Sequence, residues 1–369
     1  MATKHLLFIP KLLCCMFIIS ALNSCKKDKT TDTITKTDAS TVTPVTLGLY
    51  EYASGVNKRI FLPITKVGTK AVTYYSVFDT GSSGLTLDAN GILPDANITS
   101  SGIQFTGDSL VVNGITVTKT TGTISFGDNI SSTKEYGNLA YANITIGDQL
   151  GNLSLKRVPF FLYYKIVDGD GKQLSAHSSD VFGVGPGTSY VSKLIQSPLQ
   201  NFDTGDNLTN GFKLATLNKS MFTSAGNYVT DLLTIGLTST DLSSKGFIMH
   251  PLTYFSNGGY SPNIAATISY SGKTISGQIL FDTGTPSTTI IEDRTATNAI
   301  GNLPTNSTVT ITTSKGFTYT YTTTSTANLT EVQNPNNTGD TRTIFSLDFF
   351  ISNEYLTDYG NHQIGLKNN

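Results

Sequence analysis

The sequence predicts a mainly β fold, built as two related β lobes with few short helices. Three observations carry that prediction. From Leu47 onward the chain is a succession of short apolar runs broken by Gly, Asn, Asp and Ser, the pattern of strands joined by turns. Thr, Val and Ile are abundant beside 17 Tyr and 19 Phe, all residues that fit a pleated surface, and 34 Gly supply turns. Lastly, the strand–turn–strand segment Val77-Phe78-Asp79-Thr80-Gly81-Ser82-Ser83 recurs as Leu280-Phe281-Asp282-Thr283-Gly284-Thr285, 203 residues on, a lobe-sized distance.

The 369 residues are 38% hydrophobic and only 14% charged; Ser, Thr, Asn and Gly fill the gap. The apolar material suffices for a sizeable core. Net charge is −1, from 25 basic and 26 acidic side chains, so no basic excess exists to neutralise phosphates and no nucleic-acid partner is expected.

At the amino terminus, Lys4 and Lys11 precede the apolar run Leu12–Leu22, which is too short to span a bilayer as a helix and reads as a signal peptide. All three cysteines, Cys14, Cys15 and Cys25, fall here, which leaves no disulfide framework or thiolate metal site for the rest of the chain. The run ends Leu22-Asn23-Ser24-Cys25. It resembles a bacterial lipobox, in which the Cys is lipidated and becomes the first residue, although Asn23 departs from the usual small or apolar choice. Residues 1–25 are therefore expected to be a lipoprotein signal peptide with Cys25 as the membrane anchor. Lys26 in place of Asp favours the outer membrane, with its face left open. Residues 26–46, rich in Lys, Asp and Thr, read as a flexible tether.

Residues 47–200 are expected to form the first lobe and 207–369 the second. Strands are expected at Ile60–Ile64, Ala71–Phe78, Leu110–Val117, Leu139–Ile146, Val158–Tyr164, Leu233–Ile235, Ala265–Tyr270, Ile275–Phe281 and Val309–Thr322. Helices are expected at Tyr190–Gln196, near Ile291–Ala299 and at Phe349–Tyr355. A third Asp-Thr-Gly, Asp203-Thr204-Gly205, has no apolar strand on either side and reads as a surface loop.

A lone Asp-Thr-Gly is a common turn, but two copies in matching strand contexts are far more specific. Two facing carboxylates that share a proton can supply the base and the acid that peptide hydrolysis needs, because both cannot ionise at close range. Glycine lets each turn bend and bring amides near the carboxylate.

On these residues the chain resembles the pepsin-like (bilobal) aspartic peptidases over about residues 47–369, with motifs in family order. The resemblance implies a central cleft between the lobes and places Asp79 and Asp282 on the catalytic pair. Thr80, Gly81, Ser82, Thr283, Gly284 and Thr285 then support the two loops. Ile124-Ser125-Phe126-Gly127-Asp128, with Phe126 47 residues beyond Asp79, looks like the flap hairpin that closes over substrate, and Tyr136-Gly137 like its exit. Asp180–Gly185 and Phe345–Phe350 resemble the stretches that support each loop, and Tyr359–Leu366 the final hairpin. Phe126, Gly127 and Asp128 are thus expected to contact substrate.

Three departures bear on activity. Phe126 replaces the flap tyrosine, Thr86 lies near the position of the family's partner Trp, and the sequence has no Trp at all. Ser346 or Leu347 stands for an expected Gly in the second support stretch. The short stretch between Cys25 and the first strand leaves no room for a long prosegment, so no zymogen step is expected.

Other motifs are set aside. Gly272-Lys273-Thr274 lacks the upstream Gly of a phosphate loop and reads as a hairpin turn. His177, His250 and His362 lack metal-ligand spacing and read as surface or satisfied loop residues, and Asp168-Gly169-Asp170-Gly171 lacks the Glu of a calcium loop. No metal and no cofactor is expected. The function expected is an aspartic endopeptidase, a monomer acting on an extended polypeptide. The alternative is a catalytically weak or inactive pepsin-like binding or inhibitor lipoprotein.

Overall fold

The computed structural model describes residues 41–127, 132–148, 151–243, 246–297 and 300–369. Cys25, the signal segment, most of the expected tether and the flap residue Asp128 lie outside them. The described chain is mainly β, with only two short α-helices, Ser239–Ser243 and Pro335–Thr338. Its strands form two large mixed sheets, one 14-stranded and one 8-stranded.

Alternation sets the inward faces. In strand Asn57–Val67, Ile60, Leu62 and Ile64 are fully buried, and on the other face Arg59, Phe61 and Thr65 are part-exposed while Pro63 is buried. The first strand, Val45–Ser54, begins two residues inside the segment expected as tether. It pairs with Asn57–Val67 on one side and with Asn227–Leu237 on the other. Strands Thr209–Leu214, Asn353–Asp358 and Gln363–Asn368 continue the same sheet, so one sheet runs through both of the segments expected as separate lobes.

The expected strands form, two of them as hairpins. Leu110–Val117 breaks at Asn113-Gly114, both at positive φ, and Val309–Thr322 breaks between Thr313 and Thr318. Ser271-Gly272, also at positive φ, make the tight turn that leads into strand Lys273–Phe281. Asp203-Thr204-Gly205 is a loop whose Asp203 carboxylate accepts from the Gly205 amide at 3.1 Å.

The three expected helices do not form as such. Around Tyr190–Gln196 the Ser189 and Ser192 hydroxyls accept from the amides of Val191 (3.3 Å) and Leu194 (3.2 Å), a local bonding pattern that competes with helix. Ile291 and Glu292 belong to strand Thr288–Glu292, after which Asp293 turns the chain by accepting from the Thr295 amide at 2.8 Å. Phe349 lies in a 3-10 turn, Leu347–Ile351, and Tyr355 in the following strand. In each case sheet pairing or a side-chain cap outweighs a weak helical pattern.

Two glutamates are buried among the described residues. Glu51 is fully buried; one carboxylate oxygen accepts from the Asn218 amide at 2.9 Å and the other has no partner among the described residues. Burial pushes this carboxyl up to about 7 against the opposing pull of the Asn218 bond. Glu135 is also fully buried, and burial raises it well above its usual range. A carboxyl raised in the folded state binds its proton more tightly there than in the unfolded chain. Its stabilising effect is complete below the ordinary value of 4.5 and is lost as pH rises through the folded value. Stability is therefore expected to fall between about pH 4.5 and 7. Glu51→Gln, which mimics the protonated acid, should remove on the order of 3 kcal/mol of that fall. Urea unfolding at a series of pH values checks this; an unchanged slope in the variant would contradict it.

Candidate active site

The two Asp-Thr-Gly loops are built alike. Strand Lys70–Asp79 delivers Asp79, the chain turns through Thr80-Gly81-Ser82, and strand Ser83–Asp88 leaves. Strand Val181–Val184 lies between these two, parallel to the first (Phe182 opposite Phe78) and antiparallel to the second (Phe182 opposite Leu85). In the second loop, Lys273–Phe281 delivers Asp282 and Thr288–Glu292 leaves, with Arg342–Phe345 in the matching place (Phe345 opposite Phe281, Ile344 opposite Ile290). Each loop is thus held by a rigid three-strand base.

Threonine exchange joins the loops. The Thr80 amide donates to Thr283 Oγ1 at 3.0 Å, and the Thr283 amide donates to Thr80 Oγ1 at 3.0 Å. The Thr80 hydroxyl donates to the Phe281 carbonyl at 2.8 Å, and the Thr283 hydroxyl to the Phe78 carbonyl at 2.6 Å. Both side chains are buried.

Each carboxylate is held from beneath and from the side. Asp79 Oδ1 accepts from the amides of Gly81 (2.7 Å) and Ser82 (3.2 Å), and its Oδ2 from the Ser82 hydroxyl (2.5 Å). Asp282 Oδ1 accepts from the Gly284 amide and its Oδ2 from the Thr285 hydroxyl, both at 2.7 Å. The two carboxyls face each other across the glycines: Gly284 bonds Asp282 through its amide and stands against Asp79, and Gly81 bonds Asp79 and stands against Asp282. A methyl added at Gly81 would stand 2.5 Å from the Asp282 carboxyl carbon, and one at Gly284 2.8 Å from that of Asp79. Glycine is required at both places by close approach. Burial, then the charge of Asp282 and the bond between the two, raises Asp79, while Ser82 and Gly81 oppose the rise.

The support stretches differ. Gly183 packs against Ser82 and Gly84, and the Gly185 amide donates to the Ser82 carbonyl at 2.7 Å. In the second, Ser346 fills the position with a buried hydroxyl that donates to the Ser287 carbonyl at 3.3 Å, and the Leu347 amide donates to the Thr285 carbonyl at 2.9 Å. The missing glycine is thus replaced by a hydrogen-bonded serine.

A polar knot braces the first loop. The Asp180 carbonyl accepts from the Val77 amide (2.9 Å), and its Oδ1 accepts from the Asp88 amide (2.9 Å) and the Tyr163 hydroxyl (2.7 Å). His177 bonds through Nδ1 to Asp180 Oδ2 at 2.7 Å and through Nε2 to the Asn90 carbonyl at 2.8 Å. Both partners are acceptors, so the imidazolium satisfies them. Burial opposes that charge, but Asp180 and the Asn90 carbonyl outweigh it and raise His177 above its usual value. His250 is buried, not at the surface. Its Nδ1 faces the Ile364 carbonyl at 3.2 Å and its Nε2 the Thr313 hydroxyl at 2.7 Å.

Of the site residues read from the sequence, Asp79, Thr80, Gly81, Ser82, Asp282, Thr283, Gly284 and Thr285 converge. Phe126 and Gly127 lie on a separate hairpin, opposite Thr133 and Ser132 in strands Ile115–Gly127 and Ser132–Asp148. Thr86 sends its hydroxyl to Glu135 on that hairpin's return strand at 3.4 Å. Arg59 was not foreseen; its Nη1 donates to the Gly284 carbonyl at 2.5 Å. Nothing in its strand marks it in the sequence, since Lys58 and Lys66 carry the same charge there.

No protein-family model matches the chain, and no curated protein matches it. Among solved structures, the aspartic proteinase from Irpex lacteus aligns over 88% of this chain and 97% of its own, with a TM-score of 0.52 and 18% identity. The chain has a pepsin-like aspartic-protease fold. At that identity the likeness is one of architecture.

Thr283→Val removes the acceptor of the Thr80 amide and the donor to the Phe78 carbonyl, both buried. The expected loss is about 2 to 4 kcal/mol by denaturant unfolding. A loss under about 0.5 kcal/mol, the range of an ordinary surface change, would show that the exchange does not hold the loops.

Proposed function

We propose that the protein is an aspartic endopeptidase that hydrolyses an extended polypeptide through a water activated by Asp79 and Asp282. The observation that carries this reading is the pair of carboxyls packed against one another's glycine, each held by a glycine amide and a hydroxyl, with Asp79 raised by burial.

The proposed chemistry follows from that arrangement. The ionised member takes a proton from water as the water oxygen bonds the scissile carbonyl carbon. The protonated member gives its proton to the carbonyl oxygen, leaving a neutral gem-diol. In collapse the C–N bond breaks, the nitrogen takes the proton first removed from water, and a diol hydroxyl returns its proton to the other carboxylate. Ser82 and Thr285 fix the outer oxygens, so no carboxylate rotates between steps. The flap hairpin ending in Phe126 and Gly127, with Asp128 beyond, is proposed to cover substrate. Its closure would rest on ring packing, since Phe126 has no hydroxyl.

The alternative, a weak or inactive binding protein, is motivated by Phe126 and by the absence of Trp. A peptide library digested from pH 3 to 8 separates the two. Hydrolysis is expected, with a roughly thousandfold drop in kcat for Asp79→Asn and for Asp282→Asn. No cleavage by the folded protein at any pH would favour the binding reading, and cleavage indifferent to Asp282→Asn would remove the dyad.

The proposal extends to location. The leader places the protein on a membrane, the outer one, through lipidated Cys25, with residues 26–46 as a tether and the two Asp-Thr-Gly segments, 47–200 and 207–369, as lobes of a monomer. Labelled palmitate should enter the full-length protein and not its Cys25→Ala variant; equal labelling would exclude the anchor.

A further inference from the structure

Resting on the dyad reading, we propose that Arg59 is a positioning residue that clamps the second Asp-Thr-Gly loop and supplies a fixed cation beside the carboxyl pair. Three consecutive residues of strand Asn57–Val67 are stitched to the exit of that loop. The Ser287 hydroxyl donates to Asn57 Oδ1 at 3.0 Å, the Lys58 amide to the Pro286 carbonyl at 3.0 Å, and Arg59 Nη1 to the Gly284 carbonyl at 2.5 Å. The Gly284 carbonyl lies between the two groups that hold Asp282, the Gly284 amide and the Thr285 hydroxyl. Arg59 thus fixes the segment that aims one carboxylate.

Its charge lies near the dyad, because Gly284, whose carbonyl it holds, bonds Asp282 and stands against Asp79. The residue is part-buried; burial lowers its guanidinium, and the charges of Asp282 first and Asp79 second oppose that loss. The neighbouring charges are already committed. Lys58 pairs with Asp348 at 2.7 Å, both buried. Arg342, which also feels Asp282, is bidentate on Asp340, with its Nε at 2.9 Å from Oδ1 and its Nη2 at 2.6 Å from Oδ2. Tyr355, near Asp282, is kept neutral by complete burial. Among the described residues Arg59 has no ion-pair partner of its own. A cation so placed favours the ionised forms of the pair and offsets part of the cost of keeping a buried carboxylate charged.

The test is the pH profile of kcat/KM for the wild type, Arg59→Lys, and the neutral variants Arg59→Met and Arg59→Gln. Carboxyl carbon NMR titration of Asp79 and Asp282 runs on the same proteins, with Asp→Asn variants for assignment. Loss of the cation should move both limbs of the profile and both carboxyl titrations about one pH unit higher, and Arg59→Lys should restore most of the shift. A neutral variant that folds and loses turnover while limbs and titrations stay put would overturn the proposal, because a purely structural clamp does that. If the wild type cleaves no peptide, the enzyme reading fails, and the titrations decide the role of Arg59 alone: a shift upholds it and no shift overturns it.

Discussion

Two threonines, Thr80 and Thr283, each accept a hydrogen bond from the other's backbone amide and donate one to the carbonyl that precedes the opposite aspartate. That exchange is the constraint on which the rest depends. A buried amide left without an acceptor costs about 1–3 kcal/mol, so neither loop can withdraw without exposing two donors at once. The exchange also fixes distance. Each loop's glycine sits against the other loop's carboxyl, closely enough that a single methyl would collide. Asp79 and Asp282, 203 residues apart in the chain, are therefore held together by backbone geometry rather than by their own unfavourable contact.

Such a site places acids where water is scarce, and the same physics recurs elsewhere in the molecule. Asp79, Glu51 and Glu135 are all raised with burial as the leading cause, and His177 is raised because both of its nitrogens face acceptors. All four groups hold protons more firmly in the folded state than in the unfolded chain. Chemistry and stability are then linked through pH: conditions that keep the proton on Asp79 also favour neutral buried glutamates and a closed His177 knot. Arg59 acts in the opposite sense, since a fixed cation lets one of two adjacent carboxyls stay ionised.

Much of this was legible in the sequence because it is local. The repeated apolar strand, Asp-Thr-Gly and hydroxyl residue name the positions that converge, and apolar alternation marks strands such as Asn57–Val67. The exposed Asp203 copy was separable because no apolar strand flanks it. What was not legible depends on partners far along the chain. No local pattern near Arg59 reveals Gly284, which lies 225 residues away. The pairing of Val45–Ser54 with Asn227–Leu237, which carries one sheet through both halves, is invisible for the same reason. The three expected helices failed because their apolar spacing was short and side chains such as Ser189, Ser192 and Asp293 offered the backbone other partners.

Asp79 and Asp282 are proposed to act together on a tetrahedral centre at a peptide carbonyl. Calorimetric binding of a statine peptide such as pepstatin, whose secondary hydroxyl stands for a hydroxyl of the gem-diol, tests it most directly. Tight binding is expected at mildly acid pH, coupled to protonation of the pair and weakened about a hundredfold or more by Asp282→Asn, which removes a charged hydrogen-bond partner. Equal binding by the folded wild type and the folded variant, or none by either, would contradict the account.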